Sequence, residues 1–205
     1  IENVTFGVRN FEIFCLLGPP HSGKSFIINA VASIDNYNTG NLYINGINKI
    51  RSNMEEIMFG YCMQEPSLSD DLTVKEHLIS MLNLIGYTNQ GMKSFTKELL
   101  QFYDLAQYSN VKVRYLSHEQ KKLLNLMLIT AHGQSTILLD EPTKGISKFE
   151  KRKFIWDRIK QTNRNFKSSI LIATSSLEEA VYLSDRVGIM SRGRLVYVGT
   201  FEQLK

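Results

Sequence analysis

The chain has 205 residues, 43% of them apolar, enough for one substantial core or two small ones. Its formal net charge is +4 and the basic residues are scattered, which argues against a nucleic-acid-binding surface. No apolar run approaches the roughly eighteen residues of a membrane span and no signal-peptide pattern is read, so we expect any membrane connection to lie outside this stretch.

The sequence opens at Ile1 inside what reads as a strand-turn-strand pattern (Val4, Phe6, Val8, then Phe11), and we read the whole as a fragment of a longer protein. Ile13-Phe-Cys-Leu-Leu17 reads as a buried strand and Ser25 to Ala32 as a helix. Between them Gly18-Pro19-Pro20-His21-Ser22-Gly23-Lys24-Ser25 fits the phosphate-binding loop G-x-x-x-x-G-K-[ST]. In such a loop, backbone N–H groups ring a triphosphate at a helix N-terminus. Lys24 would reach the outer phosphates and the Ser25 hydroxyl would ligate Mg²⁺. A surface turn of Gly and Pro is the alternative, and the buried strand feeding it argues against that. Lys24 itself is expected to stay out of the core.

Gly40 to Gly46 reads as a short strand bounded by turn residues, and Met58 to Met63 as another, stopped by Gln64-Glu65-Pro66. Thr73-Val-Lys-Glu76 is a capping box opening a helix through Leu84. Residues 92 to 107 read as a further helix with Phe95, Leu99, Leu100, Phe102 and Leu105 on its apolar side. From Thr136 the chain alternates: strand to Leu139, helix from about Lys148 to Thr162, strand Ser169 to Ala173, helix Leu177 to Leu183, strand Val187 to Met190, and a hairpin through Arg192-Gly193. This predicts an α/β domain with a parallel sheet. Residues 1–66 and 131–205 are expected to form its core, which carries the phosphate-loop match, and residues 67–130 a mostly helical insertion. Cys15 and Cys62 stand in apolar runs and are expected as buried free thiols of a reducing compartment. The basic cluster Lys148 to Lys153 reads as a solvated helix face.

Leu138-Leu139-Asp140-Glu141 is an apolar strand ending in two carboxylates at the sheet edge where the phosphate loop also lies. There Asp140 would hold the water shell of Mg²⁺ and Glu141 would polarise an attacking water. An acid-capped strand-to-helix turn is the plainer alternative.

Tyr115-Leu-Ser-His-Glu-Gln-Lys121 adds the motif that brings a family into view. Phosphate loop, Gln64 after a strand, L-S-x-x-Q opening a helix and L-L-D-E-P-T follow one another in an order that resembles the ATP-binding cassette of ABC proteins, over nearly the whole chain. Gly60 to Gln64, Asp71 to Leu78 and Lys151 to Trp156 look most like the A subfamily of eukaryotic transporters, mostly lipid exporters. The resemblance implies the ABC ATPase fold, with ATP and Mg²⁺ as ligands and a place at the cytosolic face of a membrane as part of an integral membrane protein. By it, Gln64 would touch the metal and link the nucleotide to transmembrane coupling helices. Ser117 and Gln120 would face an ATP held by a second cassette, and Ser175 would stand at the switch position beside the γ-phosphate. Nucleic acid is not an implied partner. From the residues alone, Ser117 and Gln120 are also an ordinary helix cap and its box partner. The family's adenine-stacking aromatic would precede Ile1.

Four departures from the family pattern bear on ATP geometry. Pro20-His21 replaces Asn-Gly, removing an N–H and a flexible residue. His118 and Glu119 replace two glycines; a lone Glu119 charge about 4 Å from phosphate would be repelled by roughly 4 kcal/mol at an effective dielectric near 20. Ser147 replaces an aspartate and Ser175 a histidine. Lys24, Ser25, Gln64, Asp140 and Glu141 keep the pattern. The expectation is a transporter cassette that binds ATP and turns it over slowly. The alternatives are a non-hydrolysing regulatory cassette, or a soluble ABC ATPase of translation or DNA repair, although Lys24 and Leu116 stand too close in sequence for an intervening coiled coil.

Overall fold

Five consecutive apolar residues have no polar face to give to water, so a strand made of them must lie in a sheet covered on both sides. In the computed structural model, which describes residues 1–35, 39–48, 59–87, 89–131 and 133–204, Ile13–Leu17 forms β1. It pairs in parallel with β6 (Ser169–Thr174) and β7 (Arg186–Ser191). The six-stranded sheet runs β4 (Gly60–Cys62), β5 (Thr136–Asp140), β6, β1, β7, β8 (Arg194–Gly199), parallel except for the β7–β8 hairpin. A separate hairpin joins β2 (Tyr43–Ile44) to β3 (Ile47–Asn48). Asn45 and Gly46 at its tip both have positive φ, the geometry that a two-residue turn needs to match strand twist.

Alternation along the strands sorts side chains into two cores. Phe14, Leu16, Leu138, Leu171 and Ala173 pack with Ile27 and Ile28 of α1 (Lys24–Val31). Ile13, Cys15, Ile137, Leu139, Ile170 and Ile172 join the larger core on the other face, which takes in α5 (Phe149–Phe166) and α6 (Leu177–Leu183). Between β4 and β5 come α2 (Val74–Leu84), α3 (Asn89–Phe102) and α4 (His118–Thr130). The capping box of α2 forms: the Glu76 N–H donates to Thr73 Oγ1 at 3.2 Å and the Thr73 N–H to Glu76 Oε2 at 2.8 Å.

Several elements differ from the sequence reading. The strand expected over Gly40 to Gly46 is confined to Tyr43–Ile44, because Asn45 and Gly46 make the turn. Residues 1–12 form no strand; Val4, Phe6 and Val8 still pack on the α1 side, and Phe6 stacks on Phe14 at 5.2 Å, so their alternation records side-chain packing without backbone pairing. The helix expected to 107 stops at Phe102, and Asp104 turns left-handed at φ 55. Leu105 is fully buried beyond that turn, which is why the apolar pattern outruns the helix. The strand expected from Met58 to Met63 covers Gly60–Cys62, with Met58 outside the described residues. Cys15 and Cys62 are free and buried.

Candidate functional site

At the end of β1 the chain must leave the sheet beside two other strand ends. The Gly18 N–H donates to Thr174 O at 3.3 Å, and a Cβ on Gly18 would lie 2.3 Å from Met190 O, so only glycine passes. The loop then curls: Ser22 N–H donates to Pro19 O at 3.2 Å, and Gly193 at the β7–β8 tip donates to Ser22 O at 3.1 Å. His21 sits at φ 62, a conformation that costs an L-residue about 1–2 kcal/mol. Gly23, at φ 101, caps α1 without a side-chain hydrogen bond. That arrangement leaves helix N–H groups to an anion.

The charged groups converge here. Lys24 is 4% exposed, correcting the expectation that it avoids the interior. Its Nζ donates to Gly18 O and Pro19 O, both at 2.9 Å, and lies 4.0 Å from Glu141 Oε1. Burial lowers its pKa, against the opposing pull of Glu141 and Asp140. Ser25 Oγ donates to Asp140 Oδ1 at 3.1 Å. Burial raises the Asp140 pKa, and the Ser25 hydrogen bond works against that rise. Glu141 is 6% exposed with φ 49; its N–H donates to Ala173 O at 2.8 Å and its Oε2 accepts from Ser175 Oγ at 3.1 Å. The ends of β1, β5 and β6 thus bring Lys24, Ser25, Asp140, Glu141 and Ser175 together. Among the described residues no three His, Cys, Asp or Glu side chains converge as a metal cluster. Ser25 Oγ and Asp140 Oδ1, 3.1 Å apart, are oxygens that could hold a divalent ion here.

The remaining candidates lie on neighbouring segments. Gln64 is placed through its backbone carbonyl, which accepts from Lys122 Nζ. Ser117 and Gln120 form a reciprocal capping box at the start of α4. The two residues between them turn toward their own chain. His118 Nε2 lies 3.2 Å from Lys144 O, and its ring fills the space that a Cβ on Gly145 would need. Glu119 forms an ion pair with Lys151. The repulsion reckoned above for a lone Glu119 charge is therefore too large, because an ammonium stands beside the carboxylate. The Lys148 to Lys153 face is solvated as expected, with Lys148, Lys151 and Lys153 exposed, and it also carries surface contacts. Arg152 pairs with Glu178 at 2.7 Å and donates to the Ser147 carbonyl at 3.2 Å.

Three buried charged residues escaped the sequence reading: Glu12, which pairs with Arg186 at 3.2 Å, Lys122 and Glu179. Lys122 stands four residues before Leu126 and seven before Ile129, both buried, so helical spacing could have flagged it as an inward cation. Glu179, four before the buried Leu183, accepts from Thr143 Oγ1 at 2.6 Å and Trp156 Nε1 at 2.8 Å. A large cavity, about 1390 Å³, lies elsewhere, between α1 and residues such as Val4, Phe6, Tyr43 and Leu138. Leu138, from the apolar part of the strand that ends in Asp140, lines it, and among the described residues no charged side chain does.

Residues 1–144 match the family described as ABC transporter. The chain belongs to that family. ABC transporter A family member 9 of Arabidopsis thaliana is 32% identical to the whole chain, which spans 22% of that protein's length. The mouse phospholipid-transporting ATPase ABCA3 is 30% identical over the whole chain, which spans 12% of it. Among solved structures, the dimeric post-hydrolysis state of the ATP-binding cassette MJ0796 bound to ADP and Pi gives a TM-score of 0.84 at 22% identity, covering 97% of this chain and 89% of that one. That likeness is one of fold: this is the α/β, P-loop-type sheet of an ABC ATPase. Among the described residues no helix is long and apolar enough to cross a membrane.

Proposed function

We propose that this chain is an ATP-binding cassette of an A-subfamily-like membrane transporter, in which ATP binding and slow hydrolysis drive export or flipping of a substrate. The observation carrying this reading is the meeting of Lys24, Ser25, Asp140, Glu141 and Ser175 around a glycine-capped helix start. Lys24 would exchange its two loop carbonyls for phosphate oxygens, and Ser25, Gln64 and Asp140 would hold Mg²⁺, which supplies charge neutralisation when bound. Glu141 would orient and polarise water, and Ser175, donating to its Oε2, would fix the carboxylate. A neutral serine that spends its hydrogen bond on Glu141 contributes less to the transition state than a cation, hence slow turnover. Residues 67–130 would act as the helical subdomain on the core of 1–66 and 131–205. Partners would be a second cassette, facing Ser117 and Gln120, and coupling helices reached through Gln64, at the cytosolic face. Lipid is the substrate class suggested by the relative named as phospholipid-transporting.

In the full transporter, Glu141→Gln should keep ATP binding while lowering turnover by about 10²-fold or more. Equal steady-state rates in variant and wild type would remove Glu141 from the chemistry. The non-hydrolysing reading is favoured by the strained His21 and by the ties of His118 and Glu119 to their own chain. It predicts ATP-closed wild-type cassettes with no turnover at all.

A further inference from the structure

Lys121 and Lys122 are neighbours on α4 with opposite surroundings. Lys121 reaches Asp70 at 3.6 Å from a partly solvated position, whereas Lys122 is 2% exposed. A buried ammonium needs acceptors in place of water. Lys122 finds them on two separate segments: Gln64 O, just after β4, and Glu141 O at 3.5 Å, just after β5. Cys62, Glu65, Asp140 and Glu141 favour its charge, while burial, the larger influence, draws its pKa down. One turn along the same face of α4, Asn125 Nδ2 donates to Cys62 Sγ at 3.0 Å, a second tie to β4 that carries no charge.

Resting on the nucleotide-site reading, we propose that Lys122 is a positioning residue that couples the Gln64 and Glu141 backbones to α4, so that a shift of the Gln64 segment on ATP binding is carried to Ser117–Glu119. The coupling follows from desolvation. Were Gln64 to move alone, the ammonium would lose an acceptor where water cannot replace it, so α4 follows. Both acceptors are main-chain carbonyls, so no side-chain change at Gln64 or Glu141 removes them. The link is broken only at Lys122.

The test is hydrogen–deuterium exchange on the 205-residue chain with and without Mg-ATP, beside an ATP titration of each variant. In wild type, ATP should slow exchange both around Gln64 and in the first turn of α4. Lys122→Met should bind ATP within a few-fold of wild type and respond around Gln64, with the α4 response lost. Lys122→Arg, able to serve both carbonyls, should restore it, and Asn125→Ala, which cuts only the uncharged tie, should keep it. Should the Met variant fail to fold, Lys122→Gln, a weaker neutral donor, should show at least a halved α4 response. An undiminished α4 response in the Met or Gln variant overturns the proposal, as does ATP binding to wild type without any α4 response. If wild type binds no ATP, the nucleotide-site reading falls and takes the proposal with it.

Discussion

Glu179 shows how a single side chain can join three parts of the site. Its carboxyl is 1% exposed, takes hydrogen bonds from Thr143 and Trp156, and stands four residues beyond Ser175. Burial raises its pKa above the ordinary 4.5, with the hydrogen bonds from Thr143 and Trp156 among the influences opposing. The folded chain therefore holds this proton to higher pH than the unfolded chain does. Its contribution to stability is fully present below about 4.5 and is lost as pH climbs toward the raised native value. Glu179→Gln keeps an oxygen for both donors and removes the titration. Its melting temperature relative to wild type should improve between pH 5 and pH 8, whereas Glu179→Ala, leaving two donors bare, should cost about 2 kcal/mol or more. A pH-independent difference between Gln variant and wild type would contradict the assignment.

At the scale of elements, α4 is fastened to α5 and to the segment leading into it through residues that replace the family's glycines. The Glu119–Lys151 pair has side chains 23% and 49% exposed, so solvent screens it; a double-mutant cycle in denaturant should give a coupling of about 0.2–1 kcal/mol. A coupling indistinguishable from zero would mean that the pair does not hold α4. Such ties are hard to read from sequence, because each joins residues far apart along the chain. The elements themselves were more legible. α6 spans Leu177–Leu183 as read, since Ser176 caps it by accepting from the Glu179 N–H at 3.3 Å, and β1 follows its apolar run. α5 runs on to Phe166 past the expected Thr162, closed by Lys167 in a left-handed conformation that composition does not announce. Lys122 and Glu179 stayed hidden because a charged residue in a helix is normally read as solvent-facing, and only packing tells Lys122 from Lys121.

In the molecule as a whole, the sheet order β4-β5-β6-β1-β7-β8 sets the site. Placing β6 between β5 and β1 lets Ser175 reach Glu141 while the loop after β1 delivers Lys24 to the same carboxylate. Parallel strands all present their carboxyl ends on one edge, so residues scattered from Gly18 to Ser175 gather there without any long loop. Phosphate loop and paired carboxylates were legible because their chemistry requires those residue types in that local order. The cis contacts of His118 and Glu119 were not, because motifs say which residue is replaced and nothing about what the replacement touches. The central claim is that this edge binds a nucleoside triphosphate through Lys24. The direct measurement is a fluorescence titration of the chain with ATP, with and without Mg²⁺, in wild type and Lys24→Ala, with circular dichroism to show that the variant folds despite losing a buried side chain. Removing charge-assisted hydrogen bonds worth about 1.5–3 kcal/mol should weaken Mg²⁺-dependent binding by about 10- to 100-fold. A folded Lys24→Ala chain that binds ATP as tightly as wild type would contradict the account.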